Sequence, residues 1–162
     1  MQNETESPFI QWDPLQANEI IEANKTRPGA LMPILTDLLD TFGYIDPSIV
    51  PDIATALNLS RAEIHGVISF YHDFRTSPPG HHVIKVCRAE ACQSMQGHEL
   101  IEKIKSHLGV DFHETTTDRK YTLEPVYCLG NCACAPAVMM DDELHGRMNL
   151  DKFKKLISGD AK

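Results

Sequence analysis

All five cysteines of this 162-residue chain, Cys87, Cys92, Cys128, Cys132 and Cys134, lie in its second half. They form two tight groups. The first is Cys87-x4-Cys92; the second, after 35 intervening residues, is Cys128-x3-Cys132 with Cys134 two positions later. An odd number of thiols argues against a disulfide framework. The start, Met1-Gln2-Asn3-Glu4-Thr5-Glu6, shows neither a basic n-region nor an apolar run, so a cytoplasmic, reducing setting is expected. Soft sulfur ligands brought together in twos suit a binuclear iron–sulfur centre, where each iron takes two cysteines and is tetrahedral in sulfur. Structural zinc prefers tighter Cys-x2–4-Cys knuckles and stands as an alternative. A thiol–disulfide redox pair is a third, although no Cys-x2-Cys opens a helix here.

Charge narrows the choice of partner. The chain carries a net −8, placed unevenly: residues 1–77 hold 4 Lys/Arg against 11 Asp/Glu. An acidic half repels phosphate backbones, so no nucleic-acid partner is expected. The longest uncharged stretch, Pro125 to Met140, is too short for a bilayer span and contains Gly130, Pro136 and three cysteines. The nine glycines are isolated, with no G-x-G-x-x-G and no P-loop, and no His-Glu-x-x-His is present. No flavin, nicotinamide or molybdenum site is therefore expected in this chain, nor a catalytic residue. The eight histidines read as structural or surface groups, since no Cys-x-His pair accompanies the thiols.

Apolar periodicity divides the chain near Arg75-Thr76-Ser77-Pro78-Pro79-Gly80, a cluster of breakers. Residues 1–77 read as a small helical bundle serving as a docking domain, with residues 1–12 loose. Helices are expected over Pro14–Lys25, Ala30–Phe42 (Leu31, Ile34, Leu35, Leu38, Leu39 and Phe42 in one stripe) and within Pro47–Leu57. Pro51 leaves the start of the last uncertain by about a turn. Ser60 and Glu63 form a capping box for a fourth helix whose buried face is Ile64, Val67, Ile68 and Tyr71. Residues 78–162 read as β-α-β-β-β-α. A strand over His82–Val86 delivers Cys87, a helix carries Leu100, Ile101, Ile104 and Leu108, and a strand over Tyr121–Tyr127 delivers Cys128. Strands at Ala137–Met140 and Leu144–Met148 precede a closing helix with Leu150, Phe153, Leu156 and Ile157. If the two cysteine-bearing strands are parallel neighbours, four thiolates converge at one end of a sheet.

Over roughly residues 25–158 the chain resembles the thioredoxin-like [2Fe–2S] ferredoxin family. The resemblance is carried by Gly29-Ala30-Leu31-Met32-Pro33-Ile34-Leu35, Phe42-Gly43-Tyr44, Gly66-Val67-Ile68-Ser69-Phe70-Tyr71 and Cys128-Leu129-Gly130-Asn131-Cys132-Ala133-Cys134-Ala135-Pro136. It implies an α+β chain: an N-terminal helical bundle, then a thioredoxin-like α/β domain carrying one [2Fe–2S] cluster. It implies Cys87, Cys92, Cys128 and Cys132 as the ligands, one loop per iron, with Cys134 a neighbouring thiol. Backbone N–H groups around Ala89–Ala91 and Leu129–Asn131 would then donate to the sulfurs, Gly130 allowing close approach. Pro136 occupies the place of that fold's cis-proline.

Phe70-Tyr71-His72-Asp73-Phe74-Arg75 and Cys87-Arg88-Ala89-Glu90-Ala91-Cys92-Gln93-Ser94 look most like gamma subunits of cytoplasmic NAD-dependent formate dehydrogenase. That likeness implies one-electron transfer beside a flavin- and NAD-binding subunit, with FMN, NAD and a molybdenum or tungsten cofactor confined to that partner and to a large formate-oxidising subunit. The equivalent subunit of NADH-quinone oxidoreductase or an NAD-linked hydrogenase is the nearest alternative, and a zinc-stabilised adaptor the alternative from another class.

Overall fold

The computed structural model describes residues 9–159. The chain divides between Pro78 and Pro79 into two compact units, each built around its own core.

The first unit is helical: α1 (Pro14–Asn24), α2 (Leu31–Phe42), α3 (Val50–Leu57) and α4 (Arg61–Phe70). Each boundary has a local cause. Asp13 caps α1 by accepting from the Leu15 N–H at 2.9 Å, with Pro14 in the first turn, where its missing donor costs nothing. Gly43 ends α2 in the left-handed conformation at φ +76°. Pro47–Ile49 forms a 3-10 turn and the α-helix starts only at Val50, so Pro51 falls in a first turn and breaks no hydrogen bond. Ser60 and Glu63 form the expected capping box, side chain to backbone in both directions. The stripe Ile34, Leu35, Leu38 and Phe42 meets Ile21, Ile49, Ile53 and Ile64 in one dry core.

Two expectations for this unit fail. Tyr71 lies beyond the end of α4 in extended conformation and is 45% exposed, because the helix stops one residue before the apolar stripe does. Residues 10–12 are tied down: the Ile10 N–H bonds the Thr41 carbonyl at 3.3 Å, and Trp12 packs on Phe42 at 4.7 Å between ring centroids. Residues 1–8 lie outside the described range.

The second unit is a five-stranded sheet in the order β2-β3-β1-β4-β5. Its strands are β1 (His82–Cys87), β2 (Glu114–Thr115), β3 (Tyr121–Val126), β4 (Val138–Met140) and β5 (Glu143–His145). Only β1 and β3 are parallel, and they are direct neighbours in the middle of the sheet, with Cys87 opposite Val126. Ile84, Val86, Leu123 and Val138 meet Leu100, Ile101 and Ile104 of α6 (Gly97–Leu108) and Phe153 and Leu156 of α7 (Leu150–Ser158). The α+β class is as expected. The expected order lacked β2 and a five-residue helix, α5 (Glu90–Ser94), and the last strand is shorter and starts earlier than the apolar pattern Leu144–Met148 implies. The Ala135–Pro136 bond is cis.

Candidate metal centre

The parallel pairing of β1 and β3 sends both cysteine loops out of the same end of the sheet. Cys87 is the last residue of β1, and Cys128 follows β3 by two residues. The first loop is fastened by the Arg88 N–H to the Val126 carbonyl at 2.7 Å and by the Cys87 N–H to the Ala137 carbonyl at 3.1 Å. It then turns into α5, which carries Cys92 and packs against the 3-10 turn Cys132–Cys134. The site is thus assembled by four segments: the ends of β1 and β3, α5, and the 3-10 turn.

Burial is unequal across it. Cys87 and Cys92 are 3% and 2% exposed, packed with Ala135 and Ala137 and flanked by Ala89, Ala91, Val126 and Leu129. Cys128 and Cys132 face solvent, with their sulfurs 3.9 Å apart. A tetrahedral metal with sulfur bonds of about 2.3 Å separates two of its sulfurs by about 3.8 Å, so this pair already has the spacing of one metal's ligands. The Gly130 N–H donates to the Cys128 sulfur at 3.3 Å. Gly130 itself stands at φ +73°, with open space where a Cβ would be. The left-handed turn by itself calls for glycine there.

The thiols influence one another within this arrangement. Burial pushes the Cys92 thiol up, and contact with Cys87 adds to it. The hydrogen bond and charge of Cys128 push the Cys132 thiol up. Both therefore hold their protons in the metal-free chain, and a bound metal would draw them off. Among the described residues no three His, Cys, Asp or Glu side chains converge as they would around one ion. The hydrogen-bond contacts between thiols run within each pair, Cys92 with Cys87 and Cys132 with Cys128.

Cys134 is half-buried, in the same turn as Cys132. A Cβ on Gly146 would lie 2.7 Å from the Cys134 Cβ and 2.8 Å from Asn131 Nδ2, so the segment after β5 presses directly on this turn. Gly97 is comparably crowded, its Cβ position 2.5 Å from the Cys92 carbonyl oxygen. No sequence motif marks either glycine: Gly97 follows Cys92 by five residues and Gly146 follows Cys134 by twelve. His82, expected to be structural, pairs with Asp141, and His113 pairs with Glu124 at 2.7 Å.

The profile of the thioredoxin-like [2Fe-2S] ferredoxin family matches residues 17–160. The E subunit of NADH-quinone oxidoreductase from Pseudomonas aeruginosa is 38% identical over 116 residues, covering 71% of this chain and 69% of the relative. The HndA subunit of the NADP-reducing hydrogenase from Solidesulfovibrio fructosivorans is 28% identical over 140 residues, covering 86% and 82%. An NAD+-reducing [NiFe]-hydrogenase shares the fold at a TM-score of 0.60 and 22% identity, over 80% of this chain and 22% of that longer one.

Proposed function

The chain belongs to the thioredoxin-like [2Fe-2S] ferredoxin family, and from that premise we propose that it is a one-electron-transfer subunit of a multi-subunit NAD-linked oxidoreductase. The observation that carries the reading is the placing of two thiol pairs at the C-terminal ends of adjacent parallel strands. Cys87 and Cys92 would hold one iron, Cys128 and Cys132 the other. A [2Fe–2S] cluster supplies, when bound, a centre that gains and returns single electrons. The chain's own contribution is rigidity and polarity. The buried pair excludes water from one side of the site. The Gly130 N–H favours charge on the Cys128 sulfur, and the exposed pair leaves the other side open to a redox partner.

We further propose that the complex is a cytoplasmic NAD-dependent formate dehydrogenase, with this chain its gamma subunit. Supporting this are the segments Phe70–Arg75 and Cys87–Ser94. The chain would sit against the flavin- and NAD-binding subunit, with a large molybdenum- or tungsten-dependent subunit oxidising formate, and residues 1–77 would serve as its docking domain. Anaerobic purification of the tagged chain from its host tests this. Formate-driven NAD reduction by the isolated complex is expected. NADH-quinone activity without formate activity would favour the second reading, a subunit of NADH-quinone oxidoreductase, which the 38% identity to the Pseudomonas aeruginosa relative supports.

A further inference from the structure

We propose that Arg88 is a positioning residue for charge: it holds a fixed cation beside the ends of β1 and β3, where the two cysteine loops begin, and thereby raises the reduction potential of the bound centre. The proposal rests on the reading of Cys87, Cys92, Cys128 and Cys132 as ligands. Arg88 directly follows Cys87, and its N–H is bonded to Val126 at the end of β3. Its half-buried side chain reaches two aromatic rings. The guanidinium lies 5.2 Å from the centroid of Phe112 and 6.0 Å from that of Tyr127, the residue before Cys128. Such stacking fixes a planar cation that would otherwise swing into water.

A second cation shares the Phe112 ring: Lys105 Nζ is 4.2 Å from its centroid. That charge is compensated, by Asp111 at 2.7 Å and Glu102 at 3.9 Å. Arg88 has no carboxylate partner among the described residues. Of these two cations, the one without a carboxylate partner among the described residues is attached to the ligand loop. One-electron reduction adds one negative charge to the site, and a nearby fixed cation stabilises the reduced form more than the oxidised form.

An EPR-monitored redox titration of the cluster-loaded full chain tests this, comparing wild type with Arg88→Gln and Arg88→Lys. The Gln variant is expected to have a lower midpoint than wild type, with the Lys variant closer to wild type, and the wild type–Gln difference should persist from about pH 6 to about pH 9, since a guanidinium does not titrate there. A merely structural arginine would change the melting temperature of these chains without separating their midpoints. Equal midpoints for wild type and Arg88→Gln, with iron and sulfide intact, would overturn the proposal. If Arg88→Gln holds no cluster, Tyr127→Leu takes its place, as it removes one of the two rings from the guanidinium and keeps every thiol and charge. A lowered midpoint supports the proposal, and an unchanged one overturns it. A wild-type chain that takes up no iron and sulfide would overturn the ligand reading, and this proposal with it.

Discussion

Single residues decide how the two cysteine loops come to rest against each other. Gly146 admits the segment after β5 onto the turn that carries Cys132 and Cys134, where any side chain would collide with Cys134 and Asn131. Gly146→Ala is therefore expected to displace that turn and reduce cluster occupancy while the helical unit melts as before. Iron content beside circular dichroism checks both halves. Cys92→Ser removes a ligand from the buried pair and is expected to abolish the visible absorption of the loaded chain, whereas Cys134→Ser keeps it. Loss of colour on Cys134→Ser would reassign the ligand set. Cysteine spacing and the family resemblance together name four candidate ligands in the sequence. They could not show that two are buried and two exposed, because burial depends on segments distant in the chain.

Elements that carry their own start and stop signals were legible in the sequence; elements held only by their neighbours were not. α2 and α6 end at glycines in left-handed conformation, and α4 begins at a capping box. By contrast α5 has five residues and no apolar period, and β2 has two residues fixed by their pairing with β3. The α4 cap gives two predictions. Ser60→Ala leaves the Glu63 N–H without its acceptor and is expected to destabilise the helical unit by about 1 kcal/mol in urea titration. The bonds from Ser60 to Glu63 hold the Glu63 carboxyl below its usual value of 4.5. A carboxyl so depressed adds stability that is complete above that value and disappears as pH falls through its lower, folded-state value. The acid-side loss of melting temperature in wild type is accordingly expected to shrink in Glu63→Gln. In the sheet unit, Phe153→Ala empties the centre of the α6–α7 core and is expected to cost about 3–5 kcal/mol.

At the scale of the whole chain, the molecule joins an acidic helical unit to a sheet unit that presents two exposed thiols, and among the described residues no helix is long and apolar enough to cross a membrane. If the acidic surface docks a partner, Asp40 and Asp52 are the residues to reverse, since both are exposed. Asp37 is not, because its carboxylate accepts from Asn24 at 2.8 Å in a half-buried network and its reversal would damage the fold. Asp40→Lys with Asp52→Lys is expected to weaken assembly more at low than at high salt, measured by size-exclusion of the complex. The central claim concerns the cysteines, and one measurement reaches it most directly: iron, sulfide and zinc content of the anaerobically purified chain, with EPR spectra before and after dithionite. Two irons and two sulfides per chain, silent when oxidised and giving a rhombic spin-half signal on reduction, are the expected result. One zinc, no sulfide and no signal would contradict it and leave a metal-stapled adaptor in its place.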